Sequence, residues 1–201
     1  VISQTSFIAA HSNSVLGLVE SLVGLIPAGG GCKEMLRRWA NHSDIKNDPK
    51  KLSLKVFNLI GYATTTDSPI KAKAQQFLGE QDIMVMSKDR LIEEADNIIF
   101  SNKENYQSLD SATFSLPGST VMSDMMNILY DLKDKKVIGE HGIEVGKKLG
   151  YMLSGGDTTP STILTEQNLY DLEREIFIDL ISQKPTQQRI RHTLDTGNPL
   201  F

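Results

Sequence analysis

Near residue 87 the pattern of the chain shifts. Upstream, short apolar runs alternate with glycine-rich turns, as strands and helices do in an α/β segment. Downstream, apolar residues recur at helical spacing almost without a break. The pattern therefore predicts a mixed α/β region over residues 1–86 and a mostly helical region over residues 87–201.

In the first region Phe7-Ile8-Ala9-Ala10 reads as a short buried strand. Cys32 to Ala40 reads as a helix after the turn Gly29-Gly30-Gly31, with Met35, Leu36 and Trp39 on one face. The polar stretch from His42 to Lys51, interrupted by Pro49, is expected to be a loop. A helix is expected from Leu52 to Gly61, with Leu52, Val56, Leu59 and Ile60 inward. Ser68-Pro69 places a cap before a first-turn proline, and the helix it opens is expected to stop at Gly79. Asp82 to Met86 reads as a strand, with Ser87 capping the next helix. In the second region Leu91, Ile92, Ala95, Ile98 and Ile99 mark one amphipathic helix. Val121, Met122, Met125, Met126 and Leu129 mark another. Gly142, Gly146 and Gly150 fall four apart on a third helix, each costing about 1 kcal/mol against alanine. Close approach of another helix is the expected gain. Gly155-Gly156 ends that helix, Leu169 to Ile181 gives the clearest period of all, and Pro185 opens a last helix ending at Gly197.

Charge and cysteine usage narrow the function classes. Lys and Arg number 21 against 25 Asp and Glu, a formal charge of −4, so there is no basic excess of the kind nucleic-acid binding relies on. One cysteine, Cys32, rules out an internal disulfide framework and a cysteine-rich zinc site. No run approaches the roughly 18–20 apolar residues of a membrane span. The chain begins Val1-Ile2-Ser3-Gln4, with neither an initiator methionine nor a secretory signal, and is expected to be a fragment of a longer polypeptide.

The stretch from Gly17 to Gly31 carries the chemistry. Glu20 is a lone carboxylate in an apolar segment, so it must be paired, exposed, or shifted upward by desolvation. A carboxyl raised toward working pH suits a general acid or base; a solvated helix face is the alternative. The glycine run lacks the lysine and hydroxyl residue of a phosphate-binding loop and does not match GxGxxG.

Taken together, Gly17-x-x-Glu20-x-x-x-Gly24-x-Ile26-Pro27 with a glycine turn after it resembles the second half of the crotonase (enoyl-CoA hydratase/isomerase) superfamily. Thr5 to Ser14 resembles the strand and loop before that motif. Residues 52–95, through Ala72-Lys73-Ala74 and Phe77-Leu78-Gly79, resemble the helix-turn-helix-strand after it. Ser154-Gly155-Gly156-Asp157, Glu166 to Glu175, Arg189-Ile190 and Thr196 to Leu200 are similar to the C-terminus of long bacterial 3-hydroxyacyl-CoA dehydrogenases. The resemblance implies the latter half of a crotonase-like spiral core over 1–86, with a helical C-terminal region over 87–201. It implies acyl-CoA thioester substrates, a fatty-acid β-oxidation role and a cytoplasmic setting. NAD would be the cofactor of an upstream dehydrogenase domain, with no cofactor-binding residue and no metal in this stretch. Gly17 would offer a backbone N–H to the oxyanion, and Glu20 would serve as base. A thioester enolate gathers charge on one oxygen, and one preorganised donor is typically worth about 3–4 kcal/mol.

The chain departs from the family in two ways. The superfamily's other oxyanion N–H belongs to a glycine-rich segment expected just upstream of Val1. At the position expected for the second catalytic glutamate stands Asn58, and residues 52–61 contain no acid. An asparagine positions water but gives no proton as an acid does. Two readings therefore stand: a hydratase- or isomerase-like site centred on Glu20, or a catalytically silent scaffold or homo-oligomerisation module. The other candidates read as structural. His11, His42, His141 and His192 lack metal-ligand spacing, Cys32 reads as a buried inert thiol, and Lys133, Lys135, Lys136, Lys147 and Lys148 read as a solvated face before a CoA phosphate site. Met122, Met125 and Met126 read as helix core before an acyl-chain contact.

Overall fold

A computed structural model describes residues 5–200; Val1 to Gln4, on which the reading of the chain's start rests, lie outside the described residues. In chain order the first elements are β1 (Ala9–His11), β2 (Leu16–Gly17), α1 (Gly31–Ala40), α2 (Pro49–Gly61), β3 (Thr65–Thr66), α3 (Pro69–Ala74), β4 (Ile83–Val85) and α4 (Leu91–Asn102). They continue with β5 (Thr113–Ser115), α5 (Met122–Asp134), α6 (Glu140–Ser154), β6 (Ile163–Thr165), α7 (Glu166–Ser182) and α8 (Lys184–Thr196). Single 3-10 turns cover Glu20–Val23, Lys88–Arg90 and Gly118–Val121. The class is mixed α/β, dominated by helix with small two-stranded sheets.

Two compact units form. One takes the chain up to Gly17 together with Thr65–Ser111, and the other takes Leu18–Thr64 together with Ala112 onward. The boundary that the hydrophobic pattern places at residue 86 separates two periodicities; the packing units are interleaved. Periodicity reports local structure, whereas a unit is set by which segments bury one another.

In the first unit β1 pairs parallel with β4, Ala10 facing Met84, and β2 pairs antiparallel with β3. Asp82, 4% exposed, ties the unit together: its two oxygens accept from the Ile8 N–H at 2.8 Å and the Gly79 N–H at 2.7 Å. Ala72, Phe77 and Leu78 fill its core. The helix expected to reach Gly79 ends at Ala74, because Gln76 takes a positive φ of 59° and turns the chain. α4 forms as the spacing requires, but it buries no residue fully, and Ile92, Ile99 and Phe100 are exposed.

In the second unit α1, α2 and α5 to α8 enclose a core of Leu36, Val56, Ile60, Met125, Met152, Leu169 and Leu180. Pro49 opens α2 instead of interrupting a loop: it sits in the first turn, and the Asp48 carboxylate caps the Lys51 N–H at 2.9 Å. Ser53, fully buried, donates to the Leu153 carbonyl at 2.8 Å and so joins α2 to α6. The glycine stripe does what its cost suggests. A Cβ at Gly146 would collide with Leu129, and one at Gly150 would lie 3.0 Å from the Met125 sulfur, so α5 packs against glycine backbone. The helical pattern after residue 87 is interrupted by the antiparallel pair β5 and β6, with Phe114 opposite Leu164. Three-residue strands are too short to establish a period of two.

Candidate functional site

Gly17 is the last residue of β2 and pairs with Thr65 within the first unit. Glu20 lies in the second unit, where it opens the 3-10 turn Glu20–Val23. Its Oε2 is buried and has no hydrogen-bond partner among the described residues. Burial pushes the Glu20 carboxyl above its ordinary range, opposed by the backbone N–H groups of Glu20 and Val19.

The turn bearing Glu20 is held from three sides. Ser21 Oγ donates to the Ile60 carbonyl on α2 at 3.1 Å. Gly24 caps the turn at φ +83°, a left-handed conformation that glycine adopts without steric cost. Its carbonyl accepts from Thr186 Oγ1 of α8 at 3.1 Å. Thr186 has one hydroxyl proton and gives it to Gly24, so His141 Nε2 donates to Thr186 Oγ1, 2.8 Å away. Burial, then the charge of Arg189, lowers the His141 pKa and favours the neutral ring.

Behind the turn lies a second polar centre. Glu173 of α7 is fully buried, and its carboxylate accepts from the Gly30 and Lys33 backbone N–H groups, both at 2.7 Å. These are free donors at the start of α1, where a helix attracts negative charge. Burial nevertheless raises the Glu173 carboxyl to about 7, against those N–H groups and the Lys33 charge. Cys32, also fully buried, donates its thiol to the Pro27 carbonyl at 3.3 Å. Burial, Glu173 and Glu20 together push that thiol far from ionisation. A thiolate here would face two acids in a water-poor site, which overrides the help of the helix N-terminus. Outside this centre Lys33, 5% exposed, meets Glu34 at 3.4 Å and Glu166 at 3.2 Å, and Arg38 meets Glu34 at 2.7 Å.

Asn58 stands on α2 between the buried Phe57 and Leu59. It is half-buried, and its side-chain amide makes no hydrogen bond among the described residues. It lines a cavity of about 70 Å³ whose wall includes Ser21, Gly142, Gly146 and Arg189. Glu20 is not part of that wall; its neighbour Ser21 is. The lysine cluster is largely paired at the surface: Lys133 with Glu140, Lys135 with Asp131 and Lys148 with Asp179. Among the described residues no group of His, Cys, Asp and Glu is placed to hold a metal, and no helix is long and apolar enough to cross a membrane.

Glu173 and Arg189 enter from sequence only inside the stretches that carry the family resemblance and not as site residues, although a signal for both exists. Glu173 falls on the stripe Leu169, Ile176, Leu180, and Arg189 falls one turn after Thr186 on the buried side of α8. A charge on an inward stripe marks a buried polar centre.

No family's sequence model matches the chain, and no solved structure does. Over 194 residues, 96% of its length, the chain is 32% identical to a probable 3-hydroxyacyl-CoA dehydrogenase of Bacillus subtilis strain 168. It spans 24% of the length of that relative. The chain is thus similar, over nearly all its length, to a minor part of a protein named as a 3-hydroxyacyl-CoA dehydrogenase.

Proposed function

We propose that this chain is the C-terminal part of a 3-hydroxyacyl-CoA dehydrogenase polypeptide of fatty-acid β-oxidation, and that it carries half of an enoyl-CoA hydratase/isomerase-like site. The observation that carries the reading is Glu20, a carboxylate with one buried oxygen lacking a partner and a proton affinity raised by burial. Such a group is poised to exchange a proton with a bound molecule. The 32% identity to a probable dehydrogenase over 194 residues supports the larger assignment.

In this reading the substrate is an acyl-CoA thioester. The Gly17 N–H is one donor to the enolate oxygen, and a segment preceding this chain supplies the other. Glu20 takes up or delivers the proton at the reacting carbon or its attacking water. Asn58 holds a water through its amide and transfers no proton. The dehydrogenase domain of the same polypeptide would hold NAD, which would supply the hydride acceptor for oxidation of the hydroxyacyl group, and no residue of this chain is assigned to it.

The test is hydration of crotonyl-CoA, without NAD, by the dehydrogenase polypeptide and its Glu20→Gln variant. Turnover that drops by about two orders of magnitude or more in the variant, with folding intact, is the expected result. Absence of turnover in both, with dehydrogenase activity intact, overturns the hydratase assignment. A second reading, a silent crotonase-like scaffold that supports homo-oligomerisation, draws on Asn58 standing where an acid is expected. Truncation after Gly156 would then impair oligomer formation, while Glu20→Gln would change nothing.

A further inference from the structure

The cavity beside the Glu20 turn holds a charge that the proposed reaction does not use. Arg189 is 8% exposed and lines the cavity, yet it makes no hydrogen bond or ion pair among the described residues. The lining contains no acid and no second base. His141, which sits near enough to feel the Arg189 charge, spends its Nε2–H on Thr186 and supplies no negative charge. Its guanidinium nitrogens are not sealed from solvent, and an unpaired arginine that a ligand can reach in a largely apolar recess is suited to gripping a carboxylate or phosphate.

The remaining wall identifies the rest of the ligand. Beyond Arg189 it is almost wholly apolar, formed by Leu129, Leu132, Val145 and Leu149 with the bare backbone of Gly142 and Gly146. Asn58 adds one amide with free donors. Tyr62, about half exposed, places the lining at the surface and so provides an entrance. One cation and one amide suit a monoanion, whereas a phosphate dianion would call for further positive charge. A volume of about 70 Å³ restricts the apolar part to a few carbons.

We propose that this cavity binds the anion of a short-chain carboxylic acid, its carboxylate on Arg189 and Asn58 and its alkyl tail against α5 and α6. The site shares Asn58 with the site proposed around Glu20, but Arg189 and the apolar wall take no part in that reaction, and binding is read without it.

The test is calorimetric titration of the full chain with sodium butyrate, beside 1-butanol (the tail without charge) and sodium sulfate (the charge without a tail). Butyrate is expected to bind saturably, with a Kd on the order of 1 mM for so small a ligand. Butanol and sulfate should bind at least about tenfold more weakly. Arg189→Met keeps the apolar stem and removes the charge, and should weaken butyrate about tenfold or more. Gly61→Leu fills the cavity without touching the guanidinium, because a Cβ at Gly61 meets only Leu149, at 3.9 Å. It should weaken butyrate equally, and it decides the matter if Arg189→Met does not fold. The proposal is overturned if butyrate shows no saturable binding up to about 50 mM, if sulfate or butanol binds as well, or if folded variants keep wild-type affinity.

Discussion

Glu173 joins α7 to the start of α1 through a carboxylate buried away from water, and its titration should be readable in the stability of the whole second unit. In the native state its carboxyl is raised to about 7, from an ordinary value of 4.5. The native state therefore holds the proton more tightly than the unfolded chain does. Its contribution to stability is fully present below pH 4.5 and is lost as the pH rises through 7. A difference of one pKa unit between native and unfolded chain corresponds to about 1.4 kcal/mol. Most of the interval between the two values is crossed from about pH 5 to about pH 8, so this one group should destabilise the protein by about 2–3 kcal/mol over that range. Glu173→Gln keeps the shape and removes the titration. Urea unfolding can be followed by the fluorescence of Trp39, the chain's one tryptophan, which is buried on α1 itself. Subtracting the variant's pH profile from the wild type's cancels every group the two share. The difference should change by about 2–3 kcal/mol from about pH 5 to about pH 8, to the wild type's disadvantage. Parallel profiles would mean that Glu173 keeps an ordinary proton affinity in the folded chain. Glu173→Ala tests the same joint by another route. It leaves the Gly30 and Lys33 N–H groups without an acceptor, at about 1–3 kcal/mol each, and should cost about 4 kcal/mol in total.

Packing sets three further outcomes. Gly24→Ala forces a side chain onto φ +83° and within 3.0 Å of His141 Nε2, and should lower stability by about 2–3 kcal/mol by scanning calorimetry; a loss under about 0.5 kcal/mol would mean the turn is not clamped. Gly146→Ala drives a methyl into Leu129 and should cost about 1–2 kcal/mol net of its helix propensity, with Gly139→Ala, where a Cβ meets nothing within 4 Å, as the nearly neutral control. Cys32 should react with a thiol-specific reagent at about pH 8 only at the rate of unfolding, and rapid labelling of the native protein would be incompatible with its burial and raised pKa.

The helices are largely legible in the sequence because their signals are local. Inward spacing at Leu52, Val56, Leu59 and Ile60, the glycine stripe of α6, and Pro185 in the first turn of α8 each depend on neighbours within a turn or two. Proline both breaks helices and starts them, so Pro49 reads as a loop residue unless the capping Asp48 is weighed with it. The short strands pair residues about 50 to 75 positions apart, a relation that no local window contains. The same holds for the candidate site. Glu20 is recognisable as a carboxylate in an apolar run, but its partnerless oxygen depends on what packs around the turn. The grip of Glu173 on Gly30, 143 residues away, is likewise a property of the packed unit. The exposed Ile92, Ile99 and Phe100 of α4 show the converse: helical spacing establishes the element but not what its apolar residues face.

If Glu20 is the base of the site, it exchanges a proton with a thioester whose enolate is stabilised nearby. Incorporation of solvent deuterium at the α-carbon of butyryl-CoA, measured by NMR on the dehydrogenase polypeptide without NAD, reports that step directly. Exchange should run well above the uncatalysed rate and fall about 100-fold or more in Glu20→Gln. Exchange absent from the wild type, or equal in the two proteins, would remove Glu20 from the chemistry.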